Sequence, residues 1–134
     1  MAGKNNIPAM TDAEAKRICD KIRQTAYELH AYLGCGFLEK VYERGLAHRL
    51  EAAGFDVGTQ VPLKVFDVDG YVLGDYTADM VVDGILVELK SASTISPEHI
   101  AQTINYLQAA KLDHGMLVNF GSKRFQCRKF VRRR

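Results

Sequence analysis

Residues 85–120 set a short apolar run, a capped helical segment and a second apolar run in succession, and this order restricts the fold more than any other feature. Ile85, Leu86 and Val87 follow the turn signal Asp83-Gly84. Ser96 is placed to cap a helix that has Pro97 at its first position and is predicted to reach about Ala110. Residues 116–120, Met-Leu-Val-Asn-Phe, read as a short buried strand. A helix between two strands can act as the crossover that makes them parallel neighbours in one sheet.

Upstream of this unit the hydrophobic period is helical. Thr11 and Glu14 have the spacing of a capping box, and Ile18, Ile22, Leu29 and Leu33 then recur at helical intervals. Gly34 and Gly36 interrupt that helix. A second helix is predicted with Leu38, Tyr42, Leu46 and Leu50 on one face and Gly54 at its end. The period then changes. Val57, Val61, Leu63 and Val65 fall at odd positions, as one face of a half-buried strand requires, and Pro62 points to a sheet edge. Asp69-Gly70 reads as a turn, residues 71–82 as one long or broken strand around Gly74, and residues 125–131 as a last strand. Helix, helix, three strands, helix, two strands is the order of an α/β layer arrangement. With no repeat, low-complexity tract or linker, a flexible arm over residues 1–10 and one domain over 11–134 with a basic tail are expected.

Composition narrows the class. The chain has 134 residues, 47% of them hydrophobic and 25% charged, as in an ordinary globular protein with one core. No apolar run approaches the roughly 20 residues of a membrane span. The first ten residues lack the apolar centre of a secretory signal. Cys19, Cys35 and Cys127 fit neither a zinc pattern nor a disulfide framework, so reduced thiols in a cytoplasmic protein are expected.

The net charge of +2 conceals an asymmetry. No acidic residue follows Asp113, whereas Lys123, Arg124, Arg128, Lys129, Arg132, Arg133 and Arg134 do. The preceding chain holds 11 basic against 16 acidic residues, a net of −5. A basic tail on an acidic body suits a polyanion partner such as nucleic acid. It also suits a solvated terminal charge run.

The stretch Asp79-Met80-Val81-Val82-Asp83-Gly84-Ile85-Leu86-Val87-Glu88-Leu89-Lys90 carries the chemistry. If Asp83-Gly84 closes a two-residue hairpin, Asp79 falls opposite Glu88, with side-chain bases roughly 5 Å apart. Lys90 then projects from the same face as Glu88. Facing like charges destabilise a ladder unless compensated, and a hard cation such as Mg²⁺ is the natural compensation. A metal that activates water, beside a lysine that orients it or stabilises developing charge, suits phosphodiester hydrolysis. An exposed strand face with Lys90 neutralising Glu88 is the alternative, but charges within so apolar a run sit poorly with it.

Glu39, in the first turns of the second helix, could add a metal ligand or serve the helix N-terminus. Gln102 and Tyr106, four apart on the third helix, share a face and could contact phosphate, orient the lysine or belong to the core. His30, His48, His99 and His114 show no zinc spacing, and no glycine-rich loop follows a strand. Cys35 has no partner histidine in view that would make it a nucleophile.

Gly36, Glu39 and Tyr42 resemble the motif of the GxxExxY proteins, a bacterial and archaeal group within the PD-(D/E)XK nuclease superfamily. Asp79 with Glu88-Leu89-Lys90 is similar to the D…ExK signature, although Ala78 stands where the superfamily name has proline. Gln102 and Tyr106 resemble the downstream QxxxY element, and residues 116–121 the strand that follows. The resemblance runs from about residue 18 to 130. It implies a restriction-endonuclease-like αβββαβ core, a mixed central sheet flanked by helices, and a Mg²⁺ or Mn²⁺ requirement. By the same resemblance Glu39, Asp79 and Glu88 are metal-site residues, Lys90 is the catalytic lysine, and Gln102 and Tyr106 support it.

Two classes of function follow. The first is a metal-dependent nuclease hydrolysing nucleic acid, with DNA favoured, and a homodimer could serve two strands. The second is a non-catalytic nucleic-acid-binding or assembly module with a vestigial site, since phosphate contacts need only Lys and Arg.

Overall fold

Thr11 opens the first helix with a reciprocal pair of bonds. Its hydroxyl accepts from Glu14 N at 3.1 Å, and Glu14 Oε1 accepts from Thr11 N at 3.0 Å. In the computed structural model, which describes residues 10–132, this helix is α1 (Asp12–Leu33). Of the expected arm, residues 1–9 lie outside the described residues, while Met10 packs on the core. Ile18, Ile22, Ala26 and Leu29 form the buried stripe of α1. The helix ends at Gly34, whose N–H bonds His30 O at 2.7 Å.

Helix α2 (Glu39–Ala52) buries Tyr42, Leu46 and Leu50. Leu38 does not share that face as expected. It is the extended N-cap residue, 80% exposed, because the chain enters the helix one residue too late for its side chain to reach the core.

The strands are β1 (Val57–Phe66), β2 (Val72–Val82), β3 (Ile85–Lys90), β4 (His114–Asn119) and β5 (Gln126–Val131), with α3 (Pro97–Ala110) between β3 and β4. They form one mixed sheet in the order β1-β2-β3-β4-β5. Every neighbouring pair is antiparallel except β3 and β4, which the α3 crossover makes parallel. The fold is therefore α/β with a mixed central sheet, as expected. Asp83 and Gly84, both at positive φ, close the β2–β3 hairpin with Val82 paired to Ile85.

Two apolar cores cover the two faces of the sheet. One joins α1 and α2 to Met80, Val82, Ile85, Val87, Leu89, Val118 and Phe120. The other seats Leu107 of α3 against Leu63, Ala78 and Leu86. The expected single inward face of β1 is not found. Val57 packs on the first core, Val61 and Leu63 on the second. The switch occurs at Gln60, which has φ 52°, and opposite it Asp79 is missing from a register that resumes unchanged on both sides. Such a local disruption re-aims side chains, and here it falls at the first acidic residue of the candidate site.

Candidate active site

The hairpin pairs Met80 with Val87, but the ladder stops there. Asp79 and Glu88 face each other as expected from the hairpin register, without pairing through their backbones. Each carboxylate instead crosses to the other strand. Glu88 Oε2 accepts from Asp79 N at 2.8 Å, and Asp79 Oδ2 accepts from Leu89 N at 2.8 Å. These side chains do the work of ladder bonds and part the two strands. A further side-chain hydrogen bond joins the two carboxyls, Glu88 donating its proton to Asp79.

Glu88 is only 3% exposed, inside a strand buried on both sides. Burial and the neighbouring Asp79 charge push its carboxyl up to about 8. Burial also raises Asp79, against the Leu89 N–H that stabilises its charge. Lys90 emerges where the strand reaches solvent, its Nζ donating to Gln102 Oε1 at 3.0 Å. Gln102 Nε2 in turn donates to the Tyr106 hydroxyl at 3.3 Å. The four-residue spacing on α3 thus makes a relay behind the lysine. Burial, followed by the Glu88 charge, raises the Tyr106 phenol, which places that ring beside the acidic pair.

Glu39 comes from the first turn of α2. Partial burial, then Asp79, raises its carboxyl, and Lys90 opposes them, so the three groups share one electrostatic neighbourhood. The loop before it is built for this approach. Gly36 has φ 118°, a conformation that favours glycine. The Tyr42 hydroxyl donates to Gly34 O at 2.6 Å and accepts from Phe37 N at 3.3 Å. Its ring stacks on Phe120, with centroids 4.7 Å apart. In the Gly36, Glu39, Tyr42 set, then, two members shape the loop and one faces the acidic pair.

Two further residues escaped the sequence reading. Glu43, one turn beyond Glu39, is buried and adds negative charge around Asp79. Its carboxylate accepts from Gln60 Nε2 at 2.8 Å and Lys40 Nζ at 3.2 Å. The i+4 spacing from Glu39 was its only available signal. Asn119 is fully buried at the end of β4. Its amide grips Ala92 through both N and O, at 3.0 and 2.9 Å, and also holds Gly121 N and Gln126. A Cβ on Gly121 would run into the backbone of Ser91 and Ala92. Together they clamp the segment that leaves Lys90, which a polar residue in a strand does not announce.

The described basic residues after Asp113 do not converge. Lys123 and Arg124 occupy the turn after β4, at the same end of the sheet as Lys90, and line a groove of about 610 Å³ with Arg23 and Tyr27. Arg128 lies over the Phe130 ring, and Lys129 acts on Asp20 of α1, so these neighbours serve opposite faces of β5. Arg132 binds Leu112 O at 2.9 Å and Asp113 at 3.3 Å, which ties it to the α3–β4 loop. Arg133 and Arg134 lie outside the described residues.

Among the described residues no three His, Cys, Asp or Glu side chains form a ready metal cage. The donor chemistry still fits a hard divalent ion. Asp79 and Glu88 bring carboxyl oxygens together, and Glu39 and Glu43 add negative charge around Asp79 that a cation would offset.

A family model described as the PD-(D/E)XK nuclease superfamily matches residues 16–133, and the chain belongs to that superfamily. The fold agrees with a solved structure titled SSO0001, at 20% identity and a TM-score of 0.59 over 87% of this chain and 61% of that one. An alkaline exonuclease from Laribacter hongkongensis matches at 16% identity and a TM-score of 0.49, over 70% of this chain and 55% of that one. The chain thus spans about three fifths or less of the length of either. No curated protein matches the sequence.

Proposed function

We propose that the chain is a metal-dependent nuclease that hydrolyses phosphodiester bonds, DNA first among its substrates. The observation that carries this reading is the crossed pair of Asp79 and Glu88 with Lys90 held beside it by Gln102. Asp79 and Glu88, with Glu39 nearby, would hold Mg²⁺ or Mn²⁺. A bound ion would polarise the phosphoryl oxygen and lower the pKa of a coordinated water.

The chain's own groups supply the rest. Gln102 accepts from the Lys90 ammonium and so fixes where its remaining N–H bonds point. That charge is placed to orient an attacking water or to stabilise negative charge building on the phosphate. Hydrolysis adds the water oxygen to phosphorus and breaks one P–O ester bond, and the leaving oxygen takes up a proton. The Tyr106 relay and the Asn119 clamp set the positions of Lys90 and of the segment after it.

The groove holding Lys123, Arg124 and Arg23 supports a nucleic-acid partner, because its lining has basic residues and no acidic one. The same observation favours a second reading, a module that binds without cutting. Three free cysteines are in keeping with a cytoplasmic location, and no described helix is long and apolar enough to cross a membrane. Copies acting as a homodimer would reach both strands of a duplex, and sedimentation with and without DNA tests this. Cleavage of single- and double-stranded DNA and RNA in Mg²⁺, Mn²⁺ or EDTA, with Lys90→Ala alongside, tests the main reading. Metal-dependent cutting lost in the variant supports it. Salt-sensitive binding with no turnover transfers the case to the second reading.

A further inference from the structure

A groove of about 740 Å³ runs between α3 and the outer end of the β1–β2 hairpin, a size usual for a ligand cleft. It starts at Gln102 and Tyr106, the residues that back Lys90, and follows α3 to Lys111. Its floor is aromatic. Phe66 and Tyr76 are 56% and 47% exposed, so their rings are open to a ligand. The Tyr76 ring meets Tyr106 at 5.5 Å and an interplanar angle of 45°. Gly74 makes room for it: a Cβ there would stand 3.0 Å from the Tyr76 ring. Asn105 and Gln108 add amides to the α3 wall, and Lys64 and Lys111 add cations. The acidic groups are Glu98, which also lines the groove at the start of α3, and Asp75, which pairs with Lys64 at 2.6 Å in the open.

We propose that this groove holds an unpaired nucleic-acid strand, its bases stacked on Tyr76 and Phe66 and its phosphates near Lys64 and Lys111. Aromatic faces are sequence-tolerant platforms, and amides can pair with the edge of any base. A duplex keeps its bases stacked inside and has no use for exposed rings. The arrangement therefore selects single strands, frayed ends or flaps over continuous duplex. The groove rests on the nuclease reading for one point alone, that the bond next to the stacked nucleotide is the one placed at Asp79, Glu88 and Lys90.

Binding in EDTA tests the groove independently of cutting. A short single-stranded oligodeoxynucleotide carrying 2-aminopurine is titrated into the full chain, with duplex of the same sequence beside it. The expected result is quenched 2-aminopurine fluorescence and tighter binding of the single strand. Tyr76→Ala should lose the quenching and about tenfold in affinity, whereas Tyr76→Phe should keep both. Lys64→Ala with Lys111→Ala should lower the slope of log affinity against log salt, by about 0.7 for each phosphate contact removed. Unchanged binding by Tyr76→Ala, or native protein that prefers duplex, overturns the proposal. So does a native dimer that Tyr76→Ala dissociates, since the groove would then hold a second copy. Tyr76-dependent binding without any cleavage upholds the groove while the nuclease reading fails.

Discussion

The β2–β3 hairpin is two structures end to end. From the Asp83-Gly84 turn to Met80 and Val87, the strands exchange backbone hydrogen bonds and bury apolar side chains on both faces. One residue further, at Asp79 and Glu88, carboxylates take the place of carbonyls as acceptors and the strands part. The first half derives stability from packing. The second half spends stability to hold two acids near each other, away from water. The comparison shows how little chain separates a core from a reactive site: the pairing register is the same, and only the acceptors change.

The sharpest way to break the comparison is to remove the cation of the outer half. Lys90→Ala should cut less by at least about a hundredfold while melting near the native temperature. Single-turnover cleavage and circular dichroism measure the two effects, and near-native cutting would remove Lys90 from the chemistry. The inner half should respond in the opposite way. Met80 is fully buried, so Met80→Ala should cost about 2–5 kcal/mol of stability in denaturant melts, with cutting per folded molecule little changed.

Acidity separates the halves further. Glu88 holds its proton up to about 8 in the native protein, against 4.5 as its ordinary value. Between those values the native state binds more protons than the unfolded chain, so stability falls as pH rises from 4.5 toward 8. Thermal melts in EDTA should show that decline, flattened in Glu88→Gln. A native curve that rises over this window would contradict the buried carboxyl pair. Gln102→Ala should be milder, lowering kcat about tenfold with KM nearly unchanged, because it frees Lys90 rather than removing it. The smallest effect belongs far from the hairpin. Thr11→Ala should cost about 1 kcal/mol through the lost cap and leave cutting untouched.

The contrast was only partly legible in the residues. Asp79, Glu88 and Lys90 could be put on one face because the Asp83-Gly84 turn sets the register and strand periodicity does the rest. The capping signals of α1 and α3 and the apolar runs of β3 and β4 were equally plain, since each depends on neighbours in sequence. The face switch at Gln60 was not, because odd-numbered valines promise one face and a single left-handed residue breaks the promise. Glu43, Asn119 and the groove beside Tyr76 were hidden for another reason: Gln60, Ala92 and α3, which give them their settings, lie far along the chain.

The sequence by itself determined the elements, the parallel crossover and the facing of the two acids, all of which follow from local periodicity, turns and caps. Tertiary structure alone decided that the acids replace the ladder and that Gln102 reaches Lys90. It also decided that the described basic residues after Asp113 spread over different surfaces instead of forming one patch. Those outcomes depend on distances between segments far apart in the chain, which packing sets and local preference does not.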